Sequence, residues 1–318
     1  MIITVTANPA IDKIYAIDRL KVGEVTQDEF LTRATWSDTS AGGKGINVSI
    51  FLARMGVESV AMGFVGGHTG HVVVRDLRDE GVTTNFVWVR EETRTNVTIL
   101  EHGREHVPIL IDEAGASVSQ EEISRFLRRY KRMIKRASWV VLGGSLPPGV
   151  PDDFYRELAE LGKEAGAKVA VSAGGSALAH ALPACPYLVK PDIRERLSME
   201  GEDLSTREGI ITAGKNMVAC GVEMIIVSHE FTGDIVITRD AVWEIKARVR
   251  ATALKNLVGA DDALLGGLIY KLNQDLGIEE ALRFGMAAAI SSAESRQKIC
   301  QDAGKIEAEM AHVSLERV

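Results

Sequence analysis

The sequence predicts an α/β fold: a mainly parallel sheet with helices on both faces, carrying a small second β-sheet. Three observations predict it. Short runs rich in Val and Ile recur along the chain, nearly all apolar and bounded by Gly, Pro, Asn or Ser. Strands buried on both faces read this way. Helix-length amphipathic segments fall between these runs, which is the alternation of a parallel sheet. Two stretches break the rhythm with short strands and no helix between them.

In chain order the predicted strands are Ile2–Ala7, Val60–Val65, Trp139–Leu142, Val169–Val171, Tyr187–Val189 and Met224–Val227. The predicted helices are Gly45–Met55, Gly70–Glu80, Gln120–Lys135, Asp152–Ala165 and Thr206–Cys220, and the chain from Ala260 to Met310 is almost all helix. The irregular stretches are Ile11–Thr35 and Phe86–Val107, with short strands at Phe86–Val89 and Asn96–Leu100. They are assigned to a small sheet inserted into the α/β core. No repeat, low-complexity segment or Pro- or Ser-rich linker divides the chain, so residues 1–318 read as one α/β domain with a β appendage.

Composition narrows the function. Of 318 residues, 46% are hydrophobic and 25% charged, as in an ordinary globular enzyme. A net charge of −7 argues against a general nucleic-acid or anionic-membrane binder. Cys185, Cys220 and Cys300 are widely spaced, with no CxxC, so neither a disulfide framework nor a zinc knuckle is expected and a reducing cytoplasm fits. The opening MIITVTANP lacks the basic start of a signal peptide. No run approaches the ~20 apolar residues of a membrane span.

Three segments carry chemistry. In Ala41-Gly42-Gly43-Lys44-Gly45-Ile46-Asn47-Val48, three glycines precede an amphipathic helix. Such a helix start offers N–H groups and a positive dipole end to an anion, and Lys44 adds a charge; the bland reading is a turn capping a helix. Lys44 is followed by Gly45 rather than Ser or Thr, which excludes a Walker A loop, and the glycine spacing excludes a dinucleotide-binding fingerprint. Gly143-Gly144-Ser145-Leu146-Pro147-Pro148-Gly149 follows a predicted strand, where open α/β sheets bind ligands; alone it also reads as a turn into the next helix. Val258-Gly259-Ala260-Asp261-Asp262-Ala263 opens a helix. Its backbone N–H groups can form an anion hole and a carboxylate there can take a proton, although acids also simply complement a helix dipole. His68 with His71, and His102 with His106, have metal-compatible spacings but no evident third ligand and read as surface residues. The basic run from Arg128 to Arg136 reads as a solvated helix face.

Taken together and in this order, TVTANPAID, AGGKGINVS, ETRTN, GGSLPPGVP, VKPD and VGADD resemble the ribokinase-like sugar kinases, the family of type-B phosphofructokinases. The resemblance covers nearly the whole chain and is greatest to its 1-phosphofructokinase and tagatose-6-phosphate kinase branch. It implies a β-sheet lid, often pairing two subunits, and ATP with Mg2+ as cofactors. It implies that Asp12, Gly42, Gly43 and Asn47 line a sugar site, and that Lys44, Arg94 and Ser145 hold the phosphate already on the substrate. It further implies that Asp262 is the general base and that the N–H groups of Gly259, Ala260, Asp261 and Asp262 stabilise the transferring phosphoryl group. Lys190, Asp192, Ser228, Glu230 and Gly233 fall on its nucleotide side, and Glu195 on its indirect magnesium contact.

The departures from the pattern cluster. Asp192 stands where the motif has Asn, Asp261 where GAGD has Gly, and Glu230 where a nucleotide-contacting loop has Gly. Ser172-Ala173-Gly174-Gly175 lacks the family's Asp. The sugar-phosphate side is nearly intact and the ATP side altered. Two readings follow: a working sugar-phosphate kinase of the 1-phosphofructokinase type, or a weakened relative that binds sugar phosphate as a sensor or regulator. The missing G-x-G-x-x-G argues against a dinucleotide-dependent oxidoreductase. A homodimer through the β appendage is expected, with Phe86, Trp88 and Val89 as its apolar mass.

Overall fold

The computed structural model describes residues 1–21, 31–105, 107–192, 198–199, 202–230, 232–300 and 302–318. The first strand, β1 (Ile2–Thr6), is buried along its whole length. Next come β2 (Ala10–Ile17), β3 (Ala34–Gly42), α1 (Lys44–Arg54), β4 (Ser59–Gly66), α2 (Gly67–Asp79), β5 (Thr83–Thr84) and β6 (Val87–Val89). They are followed by β7 (Arg94–Glu101), β8 (Ile109–Asp112), α3 (Gln120–Met133), β9 (Trp139–Gly143), α4 (Phe154–Glu164), β10 (Lys168–Ser172), α5 (Gly175–Ala181) and β11 (Leu188–Val189). After the short pair β12 (Ser198–Met199) and β13 (Glu202–Asp203) come α6 (Arg207–Ala219), β14 (Met224–Glu230), β15 (Gly233–Thr238) and β16 (Val242–Ala247). The chain ends with α7 (Ala260–Leu272), α8 (Ile278–Ala293), α9 (Ala303–Glu309) and β17 (Val313–Arg317).

The large sheet runs β17-β16-β15-β14-β11-β10-β9-β1-β4-β5, with β6 also on β4. From β14 to β5 the pairs are parallel, whereas β14 to β17 are antiparallel. The expected mainly parallel sheet is therefore present, extended at one edge by three antiparallel strands. Alternate residues feed opposite faces. Ile2, Trp139, Val141, Ala170 and Leu188 join a core with α1, α2, α7 and α8. Ile3, Val5, Val140, Leu142, Val169 and Val171 join one with α3 to α6. Continuous apolar strands are the consequence of this double burial.

The second sheet is small and separate, in the order β3-β2-β7-β8. One part of the expected appendage does not belong to it. Phe64, Val65 and Gly66 of β4 pair with Val87, Trp88 and Val89, and Phe86 and Val89 are buried in the main core. A three-residue apolar strand carries no local information about which sheet it joins; here the edge of β4 takes it. Only Trp88 is exposed, its ring 4.3 Å from that of His71. The large exposed apolar residues of the small sheet lie instead at its β8 edge: Ile109, Leu110 and Ile111, with Val107 beside them.

Candidate active site

The parallel strands end on one side, and the loops leaving them form a cavity of about 470 Å3 together with the small sheet. This is where open α/β sheets place ligands. The cavity is lined by Asp12, Gly43, Lys44, Asn47, Arg94, Ser145, Asp192, Ser228, Glu230, Gly233 and the run Gly259–Asp262. Gly42 backs Asp12, where an added Cβ would lie 2.2 Å from its Oδ2, so a larger residue would displace the carboxylate. Lys190 reaches the cavity through Asp261, and Glu195 lies outside the described residues.

The floor is the start of α7. Gly259 is its N-cap with φ 85°, a left-handed conformation that favours glycine. The first N–H groups of a helix have no intrahelical acceptor, which makes this end receptive to an anion. Among the expected donors, Ala260 is engaged, its N–H 3.2 Å from the Leu257 carbonyl. Asp262 is buried in the first turn and accepts a hydrogen bond from Asn47 Nδ2 at 2.7 Å. Lys44 Nζ lies 3.1 Å from Asp192 Oδ2 and 3.9 Å from Asp262 Oδ1. Lys44 thus sits between two carboxylates, and Asp192, in the motif's Asn position, is an ion-pair partner.

On the small-sheet side, Asp12 Oδ1 accepts from Asn96 Nδ2 at 3.1 Å and Oδ2 from Lys298 Nζ at 2.8 Å. Arg94 donates through Nη1 to the Glu113 carbonyl (2.9 Å) and through Nη2 to the Asn8 carbonyl (3.1 Å). Its Nε is buried and has no hydrogen-bond partner among the described residues. Burial lowers the Arg94 pKa, opposed by Asp112 and Asp12, yet a guanidinium stays charged. Asn8 Nδ2 donates to Ser145 Oγ at 3.3 Å.

On the remaining side, buried Lys190 donates to Ser228 Oγ at 3.1 Å and pairs with Asp261 Oδ1 at 3.1 Å. Burial alone would lower the Lys190 pKa, but Asp261 and Asp234 outweigh it and hold the amine above its ordinary value. Enclosure would raise the Asp261 carboxyl, but Lys190 and then Lys44 hold it below the usual range. Asp261 therefore neither points idly away nor stands as a bare negative charge; it is half of an ion pair. Asp234 is buried beside this pair, and desolvation, opposed by Lys190, pushes its carboxyl up. Glu230 reaches Lys246 at 2.9 Å, both about half exposed.

Among the described residues the acids do not form a protein-held magnesium site. Lys44 takes Asp192 and Lys190 takes Asp261, and among the described residues no group of three His, Cys, Asp or Glu is placed to hold a metal. Sequence reasoning missed Lys298, Asp234, Asn8 and Asn96. Asn8 and Asn96 stand inside the TANPAID and ETRTN motifs and could have been named from them. Lys298 and Asp234 carry no local signal, because their partners are remote in sequence.

An acid and two lysines around a helix N-terminus, with an arginine across the cavity, are the chemistry that suits phosphoryl transfer on an α/β scaffold. The chain belongs to the pfkB family of carbohydrate kinases, which it matches over residues 6–302. It is 36% identical to the 1-phosphofructokinase of Bacillus subtilis, over 93% of this chain and 94% of that protein. To the 1-phosphofructokinase of Xanthomonas campestris it is 32% identical, over 92% and 91%. A possible 1-phosphofructokinase of Thermotoga maritima superposes with a TM-score of 0.90 at 35% identity, covering 100% of this chain and 99% of that one. Arabidopsis thaliana ribokinase, at 20% identity over 97% and 98%, shares the fold with a TM-score of 0.73. The enzyme class expected from the motifs, a sugar-phosphate kinase acting on an alcohol group, agrees with this family, and kinase membership makes ATP the phosphoryl donor. Among the described residues no helix is long and apolar enough to cross a membrane.

Proposed function

We propose that this enzyme transfers the γ-phosphoryl group of ATP to a free hydroxyl of a ketohexose phosphate, with fructose 1-phosphate as acceptor. One observation supports the phosphorylated acceptor: Arg94 lines the cavity, and its buried Nε has no hydrogen-bond partner among the described residues. A buried donor without an acceptor is costly, and a substrate phosphate oxygen would satisfy it with a charge-assisted bond. The names of the bacterial relatives support fructose 1-phosphate.

In this reading Asp12 and Asn96 bind sugar hydroxyls in a site lined by Gly42, Gly43 and Asn47, while Arg94 and Ser145 hold the substrate phosphate. Asp262, oriented by Asn47, takes the proton of the attacking hydroxyl. The oxygen then bonds to the γ-phosphorus and the bond to ADP breaks. Backbone N–H groups at the start of α7 stabilise the charge in flight, and Lys44 meets it from between Asp192 and Asp262. Lys190, Ser228 and Gly233 serve the nucleotide, with Asp192 and Glu230 at its margin; magnesium enters as part of the MgATP substrate. The small sheet acts as a lid, and its β8 edge pairs two subunits.

A second reading, a weakened kinase that senses sugar phosphate, draws on the Lys190–Asp261 pair, which occupies a cation otherwise available to ATP. A coupled ADP-release assay separates the two, with fructose 1-phosphate, fructose 6-phosphate, tagatose 6-phosphate and fructose as acceptors. Turnover on fructose 1-phosphate at about 1–100 s⁻¹, usual for kinases, supports the first. Equal activity on fructose refutes the phosphorylated acceptor; binding of a hexose phosphate with no ADP release favours the sensor.

A further inference from the structure

Between α8 and α9, residues 294–300 form a strap that touches both halves of the cavity. Lys298 is its centre, with a side chain only 4% exposed. Its Nζ donates to Asp12 Oδ2 at 2.8 Å and to the Ala41 carbonyl at 2.7 Å. One ammonium thus joins the start of β2 to the end of β3, the two strands by which the small sheet leaves the core. Because Asn96 takes the other oxygen of Asp12, the carboxylate is gripped on both sides.

The backbone of the same residue lies against the floor. A Cβ on Gly259 would come 2.8 Å from the Lys298 carbonyl oxygen. The strap is tied down independently: Asn256 Nδ2 donates to the Arg296 carbonyl at 3.0 Å, while Asn256 Oδ1 accepts from Val258 N at 3.0 Å. Arg54 Nη1 donates to the Ile299 carbonyl at 2.6 Å. Lys298 is therefore presented by a braced backbone, and its ammonium approaches Asp12 from a fixed direction.

We propose that Lys298 is a positioning residue for the acceptor sugar. It fixes the rotamer of Asp12, and so the direction in which that carboxylate offers its remaining lone pairs to sugar hydroxyls. It also holds the base of the small sheet in register with the start of α7. The assignment rests on the reading of Asp12 as the acceptor's ligand. A lysine that merely filled space would affect both substrates alike; one that acts through Asp12 weakens the sugar phosphate selectively.

The test is a double-mutant cycle of Lys298→Met and Asp12→Asn, read by calorimetric binding of fructose 1-phosphate and of ATP and by thermal melting of all four proteins. K298M should weaken fructose 1-phosphate roughly tenfold, the scale of coupling between contacting charged residues, and ATP less than about twofold. In the Asp12→Asn background the same substitution should weaken the sugar phosphate less than about twofold, and Lys298→Arg should restore part of the loss. The double variant should also melt above K298M, since it removes the stranded carboxylate. Equal weakening of both ligands, multiplying effects of the two substitutions, or a double variant that melts no higher than K298M would each overturn the proposal. Failure of the parental protein to bind fructose 1-phosphate while it binds another hexose phosphate would remove that substrate only, and the cycle is then read with the hexose phosphate that binds.

Discussion

Replacing Asp261 with glycine should release Lys190 for the nucleotide. The two charges are 3.1 Å apart and attract by about 5 kcal/mol at an effective dielectric near 20. The Lys190 side chain is 2% exposed but that of Asp261 is 49% exposed. Water in the cavity therefore screens the pair, leaving about 1–2 kcal/mol between the exposed and buried limits. A phosphate that takes Lys190 from Asp261 forfeits that amount, so Asp261→Gly should lower the KM for ATP by about 5–30-fold. The KM for the sugar phosphate should stay within about twofold, because Arg94 and Ser145 share no hydrogen-bond or ion-pair partner with Asp261 among the described residues. Glycine also costs the helix about 1 kcal/mol, so Asp261→Asn, which keeps the side chain but not the charge, is assayed beside it. Glu230→Gly should add little, since its partner Lys246 and its half-exposed position make a pair worth about 0–1 kcal/mol. Coupled ADP release at saturating sugar phosphate reads the effect. An ATP KM that is unchanged or raised in both Asp261 variants refutes the argument that the ion pair competes with the nucleotide.

Asp262→Asn should lower kcat by at least ~10² with the affinity for sugar phosphate nearly intact; near-normal turnover would remove Asp262 from the role of base. Arg94→Ala should raise the KM for the sugar phosphate at least about tenfold and leave that for ATP within about twofold, and an equal loss for both would count against its contact with the substrate phosphate. Light scattering should find a dimer of the 34.5 kDa chain that Ile109→Asp or Ile111→Asp dissociates; a monomer at micromolar concentration would show that the β8 edge does not pair. At the start of α2, the Thr69 hydroxyl and the His68 and Thr69 N–H groups donate to Glu92 and lower its pKa from 4.5 to about 2. The stabilisation from this depressed carboxyl is complete above pH 4.5 and fades as pH falls toward 2. The stability gap between the parent and Glu92→Gln should therefore close over that range, and a pH-independent gap in denaturant melts would refute it.

Local pattern determined much of this protein. Val140, Val141 and Leu142, or Ile225, Ile226 and Val227, are buried on both faces, and a sheet covered on both faces lets a strand be apolar on every residue. Gly259, Ala260, Asp261 and Asp262 announced a helix start suited to an anion, because that chemistry is contained in four consecutive residues. The β-branched run of β15 and the partly alternating one of β16 also carry a strand signal. Other outcomes depend on which remote segments meet. Nothing within Phe86–Val89 says that β4, and not the small sheet, offers the free edge. Asp261 beside its own motif looks like an intruding charge; Lys190, 71 positions earlier in the chain, makes it an ion pair. Asp12 and Lys298 are 286 residues apart, so the grip on Asp12 exists only after the last helices have packed against the sheet. Charge and shape at a site are set by neighbours in space, and those the tertiary fold alone assigns.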